Sequence, residues 1–405
     1  MPRRAAPVRR LRVIAGAVAG KGATESAFGG SRDADATGHL PPMGTVHAKR
    51  ADGTWEENAE PDSVWDVKPG PSWTELQAGL APLASPTWDP IDVDASEVER
   101  IFASDADPLG AVAEGRVPAV IIRGAFSSEK CAEIIQMFID RGLMRDPNVP
   151  ADAADSHEVT ADRAAGYGNG TDTRIDIGSS LVNWTRGALA THTPSTRGGT
   201  AADDIANREA FLEHSVSTNK LFAEIFPEPD ADPVKRFFDC MQDLATPVNK
   251  TVKVAYEPDG REYGPVIFRV HYESWAYAPH INHIRVGDKL FNFEASRFVH
   301  QFAGLICMAN AEEAAEYDGN SPGATIYRHF PTPDIDEIQQ LGKFHEFVEQ
   351  EAVPHTTLDI QEGDFYLFNA GFVHEVPAVI GTDPRIVLAT FIGYSQDDDE
   401  VLVWA

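Results

Sequence analysis

From residue 251 the chain breaks into short β-rich runs. They are "TVKVAYEP", "YGPVIFRVHYESW", "HQFAGLICMAN", "GATIYRHF", "HTTLDIQ", "DFYLFNAG" and "RIVLATFIGYS", several of them separated by Gly, Pro, Asn or Asp. Many short strands at such spacing predict a β sandwich or barrel. One interruption, "PDIDEIQQLGKFHEFVEQ", has helical spacing and reads as an insertion. No internal repeat is present.

Upstream the pattern differs. Val117–Arg123 reads as a buried strand. Ser127 or Ser128 can cap a following helix that has Glu129 in its first turn. Cys131, Ile134, Ile135 and Phe138 then form one apolar helical face. Residues 145–200 are rich in Gly, Asp and Thr and read as a long loop, a candidate lid. Helices are expected over about 203–225 and 232–246. Residues 1–90 lack sustained periodicity and read as a poorly structured arm. Trp55, Trp65, Trp73 and Trp88 interrupt its later part, and their apolar area predicts that the arm packs on the main domain or on a partner chain. Residues 91–405 are expected as the main domain: helical support over 91–250 and the β-rich core over 251–405. The fold class is thus mainly β with helical support (α+β).

Composition narrows the function. The net charge of −29 repels phosphate backbones and anionic lipid, which argues against nucleic-acid and membrane partners and leaves a small molecule as the substrate class. Three distant cysteines, Cys131, Cys240 and Cys307, make neither a disulfide framework nor a CxxC zinc site, which suits a reducing, cytoplasmic setting. No apolar run approaches the roughly 18 residues of a membrane span. Residues 1–25 hold six basic residues and no acid before Glu25, with a short "VIAGAVAG" patch, so a disordered basic tail and an organelle-targeting segment are both readings of them. Oligomeric state is not legible.

The chemistry concentrates in two places. In "YAPHINHI", His280 and Asn282 are two apart, and on a strand such residues share a face. That is the spacing of two metal ligands from one strand. In "GDFYLFNAGFVHEVPAVIGTDPRIVLATFIGYS", His374 lies past a Gly-Asp turn and a strand, and Arg385 opens the next strand. A buried arginine fork calls for an anionic partner, such as a cosubstrate carboxylate. Two histidines and a carboxylate with open positions are the pattern of non-heme Fe(II) oxygenases. His283 alternates to the opposite face from His280. His271, His300 and His329 have no ligand spacing and read as structural, and Glu375 points away from His374.

A short-range pair, a distant histidine and an arginine about ten residues later resemble the Fe(II)/2-oxoglutarate oxygenase superfamily. Residues 363–395 carry most of the likeness. The resemblance implies a double-stranded β-helix of jelly-roll or cupin type, with Fe(II) on His280 and His374. It also implies O2 consumption and an Arg385 that binds the far carboxylate of 2-oxoglutarate. "IDVDASEVERIF", "VPAVIIRGAFSSEKCAEII", "VIFRVHYESWAYAPHINHI" and "GYSQDDDEVLVWA" further resemble the cyanobacterial indole-alkaloid halogenases of the welwitindolinone type. In those enzymes glycine replaces the carboxylate ligand and chloride takes the free position. Arg269 falls where that group has an arginine. It reads equally as a cosubstrate residue and as one end of a salt bridge. Tyr272 is a further candidate cosubstrate residue, and Tyr272, Trp275 and Asn369 read equally as pocket-lining and as core residues.

Residue 282 departs from both patterns, because asparagine is neither aspartate nor glycine. It has aspartate's shape without its charge, and its amide can ligate a metal weakly or hold a water or a halide. Fe(II), two neutral imidazoles and a 2-oxoglutarate dianion sum to zero, so charge permits a further anion while the side chain opposes it sterically. Three functions follow from these residues. The first is an oxygenase that hydroxylates or desaturates an unactivated C–H bond of a natural-product-like small molecule. The second is a halogenase on the same fold, and the third is a non-catalytic metal- or metabolite-binding relic.

Overall fold

The computed structural model describes residues 71–102, 106–149, 169–171, 174–181, 201–273, 276–284, 293–311, 323–379 and 381–405, together with the paired two-residue strands β1 (Ala48–Lys49) and β2 (Trp55–Glu56). The basic segment at 1–25, Trp65 and Trp275 lie outside them.

Ten strands form one large sheet. In chain order they are β3 (Ile91–Asp94), β4 (Ala119–Arg123), β5 (Asn169–Thr171), β6 (Arg174–Gly178), β7 (Thr251–Val254), β8 (Ile267–His271), β10 (His300–Ala309), β13 (Phe365–Asn369), β15 (Arg385–Tyr394) and β16 (Glu400–Trp404). The order across the sheet is β3-β4-β13-β10-β15-β8-β6-β5, with β16 beside β15 and β7 beside β16. A second sheet has four strands: β9 (Tyr277–His280), β11 (Thr325–Tyr327), β12 (His355–Thr357) and β14 (His374–Val376), in the order β12-β11-β14-β9. All seven β-rich runs read from the sequence contain strands.

Period-two alternation sorts the large sheet's side chains. Val120, Ile122, Phe268, Val270, Phe302, Ile306, Phe365, Leu367, Ile386 and Leu388 face one apolar core. Among the described residues five helices cover that face: α2 (Val98–Ile101), α3 (Pro108–Ala113), α4 (Ser128–Asp140), α5 (Ala201–Ile225) and α6 (Pro233–Ala245), which supply among others Val98, Leu109, Phe138, Phe222 and Phe237. Ser127 caps α4 by accepting from Lys130 N, as its sequence signature predicts. On the other face, Ala119, Ile121, Ala303, Tyr366 and Phe368 share a second cluster with Ile326 of the small sheet. The helical insertion, α7 (Pro333–Gln340) and α8 (Phe344–Gln350), joins this cluster through Ile335, Phe344 and Val348. Gly363 holds φ +87°, where a Cβ would collide with the Phe126 carbonyl. The following Asp364 accepts from Gly124 N at 3.0 Å and from Arg123 at 2.6 Å, so the Gly-Asp turn fastens β13 beside β4.

Two sequence expectations need correction. Residues 71–90 are not part of a loose arm. Ser72 and Glu75 make a capping box for α1 (Trp73–Ala78), and Trp73 and Trp88 are buried in the second cluster. Their indole area outweighs the weak local propensity. The stretch 145–200 is not all loop, since β5 and β6 lie within it. β6 pairs with β8 over Arg174–Gly178, because "RIDIG" alternates well enough to extend a sheet edge. No helix among the described residues is long and apolar enough to cross a membrane.

Candidate active site

The two sheets bring the distant histidines together. β9 and β14 pair antiparallel with His280 directly opposite His374, and the ring centroids are 4.2 Å apart. His280 Nδ1 lies 2.9 Å from the Ala278 carbonyl, and His374 Nδ1 lies 2.8 Å from the Phe372 carbonyl. Donation from Nδ1–H to those carbonyls leaves both Nε2 lone pairs pointing at the same place. Asn282 sits there: its amide Nδ2 is 3.0 Å from His280 Nε2 and 3.1 Å from His374 Nε2. β9 ends at His280, so Asn282 reaches the site from a loop rather than from the strand. The first residues of that loop are fixed by two hydrogen bonds from their backbone N–H groups. Asn282 N donates to the Ala370 carbonyl at 2.9 Å, and Ile284 N donates to the buried Gln301 side chain at 2.7 Å. Asn369 builds the facing turn by accepting from Gly371 N at 3.0 Å and does not line the site.

Burial, and then the neighbouring His280, hold His374 neutral well below the ordinary imidazole range. Two buried imidazoles with converging Nε2 atoms and an amide between them make a donor set that fits a divalent first-row metal ion. Among the described residues no group of three His, Cys, Asp or Glu side chains is placed to hold a metal. Among the described residues the third polar group at this centre is the Asn282 amide. His283 takes no part: it meets Trp73 edge-on at 5.0 Å, with Nε2 3.4 Å from the Val299 carbonyl. Glu375 faces outward to Tyr327 and His345.

Arg385 opens β15 and is 4% exposed. It shares the inner face of the large sheet with Val387 and Ala389, because alternate residues of β15 line that face. Its Nη2 donates to the Tyr366 hydroxyl at 3.0 Å, and its Nη1 lies 3.5 Å from His271 Nδ1. No acidic side chain among the described residues pairs with it, and the partners described for its buried guanidinium are neutral. Such a group fits a carboxylate ligand. His271, read from the sequence as structural for want of ligand spacing, lies beside Arg385. It is the Cα partner of Arg385 on β8, and its Nε2 lies 3.2 Å from the Tyr277 hydroxyl. Tyr277 in turn stacks on His280 at 5.2 Å. The two-residue spacing of "RVH" was the available signal, because it puts Arg269 and His271 on one face.

The other two cosubstrate candidates lie elsewhere. Arg269 Nε donates to Asp176 at 2.8 Å, and Arg174 shares the same buried carboxylate at 2.6 Å, so Arg269 takes the salt-bridge reading. Burial opposes the charge on Asp176, but the two guanidiniums prevail and hold its carboxyl far below the usual range. Tyr272 alternates to the helix-covered face, where its hydroxyl accepts from Arg145 N at 2.8 Å under a stacked guanidinium. Strand alternation after His271 excludes it from the inner face. Burial pushes all three cysteine thiols up to about 12, so they are inert.

Residues 198–405 match the family model described as carrier-protein-independent halogenase WelO5. No curated protein matches the chain. Solved structures that resemble parts of it include an N-substituted L-amino acid dioxygenase from Burkholderia ambifaria AMMD (15% identity, TM-score 0.37, covering 57% of this chain and 86% of that chain). They also include the non-heme α-ketoglutarate-dependent epimerase SnoN from nogalamycin biosynthesis (13% identity, TM-score 0.30, 75% and 87% covered). HygX from Streptomyces hygroscopicus, with nickel and 2-oxoglutarate bound, is a third (12% identity, TM-score 0.33, 69% and 83% covered). The family match spans just over half of the chain and includes His280, Asn282, His374 and Arg385. The chain therefore belongs to the family of the carrier-protein-independent halogenase WelO5, and with it to the iron- and 2-oxoglutarate-dependent oxidoreductases.

Proposed function

We propose that the protein hydroxylates or desaturates an unactivated C–H bond of a natural-product-like small molecule. In this reading residues 71–405 are one oxygenase domain, and the two sheets make a double-stranded β-helix around the site. His280 and His374 hold Fe(II), Asn282 fills the third protein position, and Arg385 binds the far carboxylate of 2-oxoglutarate. The observation that carries the reading is the reach of Asn282, whose amide lies 3.0 and 3.1 Å from the two Nε2 atoms. In the halogenases that the sequence resembles, glycine leaves this place open for chloride. Here a side chain of aspartate's size occupies it.

When bound, iron and 2-oxoglutarate supply the oxidation, consuming O2 and releasing succinate and CO2. The chain's residues do the rest. The Ala278 and Phe372 carbonyls keep both imidazoles in the tautomer that presents Nε2. Arg385 orients the anionic cosubstrate from a buried strand, where its charge is little screened. Apolar residues of both sheets exclude water from the space between them.

Halogenation is the second reading. The family match over 198–405 favours it, as does the neutral side chain at residue 282, which leaves the electrostatic balance open to a chloride. Anaerobic titration of the purified protein with Fe(II) and 2-oxoglutarate tests the common part. Chelation gives a visible charge-transfer absorption, and its absence, with no O2 uptake dependent on 2-oxoglutarate, would leave a non-catalytic relic. Product masses with chloride or bromide present then separate the two reactions. Retention of halogen in the product would overturn the oxygenation reading.

A further inference from the structure

Among the described residues the guanidinium of Arg385 is held by two neutral acceptors and by no anion. Nη2 donates to Tyr366 Oη at 3.0 Å, and Nη1 faces His271 Nδ1 at 3.5 Å. Both acceptors are themselves fixed. Tyr366 is 1% exposed on β13, and its neighbour in alternation, Phe368, packs edge-on against His374 at 5.0 Å. His271 is 2% exposed, and strand register sets it directly opposite Arg385. The Tyr277 hydroxyl at His271 Nε2, 3.2 Å away, suits the tautomer in which Nε2–H donates to it and Nδ1 keeps its lone pair for Arg385.

The usual way to orient a buried arginine is a carboxylate, and this sheet uses one two residues away: Asp176 holds both Arg269 and Arg174. A carboxylate beside Arg385 would orient it equally well but would cancel the charge that an anionic ligand needs. Neutral acceptors orient the fork and leave its charge whole. We propose that His271 and Tyr366 are positioning residues for Arg385, and that their neutrality, not only their hydrogen bonds, sets the affinity for the anionic cosubstrate. The proposal rests on Arg385 being the carboxylate site. Burial comes first, and then the charges of Arg385, Arg269 and Arg174, in keeping His271 uncharged and able to accept.

The test is an isosteric pair at one position. His271→Asn offers a neutral oxygen near the place of Nδ1, and His271→Asp offers an anionic one of the same size. Tyr366→Phe removes one hydroxyl. For each full-length variant, 2-oxoglutarate affinity is measured anaerobically on the Fe(II)-loaded protein by its visible absorption, and Fe(II) affinity by competition with a chelator. His271→Asn should stay within a few-fold of the native 2-oxoglutarate affinity, while His271→Asp should weaken it at least tenfold. Tyr366→Phe should weaken it by about tenfold, the scale of one hydrogen bond to a charged group. Iron affinity should be unchanged in all three, which a general loss of structure would not spare. Equal 2-oxoglutarate affinity in His271→Asn and His271→Asp would overturn the proposal. So would a Tyr366→Phe variant indistinguishable from the native protein. Arg385→Leu is run beside them: if it too binds 2-oxoglutarate normally, the carboxylate assignment itself fails, and if it alone is weak, only the positioning claim fails.

Discussion

Residue 282 carries the choice between chemistries, because it stands between two imidazoles and, among the described residues, no carboxylate accompanies it. Asn282→Asp changes charge at nearly constant volume. It should raise Fe(II) affinity and remove any chloride dependence, while oxygenation is kept or improved. Asn282→Gly empties the position; it should weaken Fe(II) binding without halide and raise halogenated product when halide is supplied. Iron affinity and product distribution for the three proteins, with and without chloride, measure this. Identical behaviour in all three would remove Asn282 from the centre. His280→Ala or His374→Ala should each abolish binding at micromolar Fe(II), because a site with two imidazoles cannot lose one, and retained stoichiometric iron in both would sink the assignment. Arg385→Leu should cost about 2–5 kcal/mol of 2-oxoglutarate affinity, the range for removing one member of a buried hydrogen-bonded charge pair. Its effect on iron binding should be small.

Among the elements, α1 does more than cover the second apolar cluster. Trp73 stacks on Phe330 at 5.6 Å and meets His283 edge-on, so it braces the loop that carries Asn282. Gln77 accepts from Phe330 N at 2.8 Å on the same side. Trp73→Ala should destabilise the fold by about 3–5 kcal/mol, as for other buried large aromatics, and should weaken iron binding through the loosened loop. His283→Ala removes only the edge contact and should leave iron affinity nearly native. Thermal unfolding and chelator competition on both variants separate these effects. If Trp73→Ala melts early but binds iron normally, the segment is only a cover.

Across the whole molecule, pH should reveal the buried polar face. His271 is neutral when folded and has its proton affinity depressed by burial and by three guanidiniums. The unfolded chain therefore binds more protons than the folded one below about pH 6.5, so this contribution to stability is present above that pH and lost as pH falls. One such imidazole is worth at most about 1.4 kcal/mol for each pH unit below that value. Asp176 acts in the same direction lower down: its depressed carboxyl stabilises the fold above about pH 4 and that contribution is lost on further acidification. Melting temperature should fall from pH 7.5 to 5.5, and His271→Asn should flatten that slope. An unchanged slope in the variant would mean that His271 is not held neutral.

Much of the fold was legible in the residues, because period-two alternation is local and survives without context. The seven β-rich runs, the Ser127 cap and the helical insertion follow from short-range pattern, while a shared role for His280 and His374 comes from the family resemblance. Tertiary structure decided what alternation leaves open. It set which strand lies beside which, and so put His271 opposite Arg385 and sent Arg269 to Asp176. It also turned Tyr272 to the helix-covered face and drew residues 71–90 onto the core. These outcomes depend on register between strands roughly a hundred residues apart. Side-chain alternation can fix the face of a residue, but only the folded sheet fixes its neighbour.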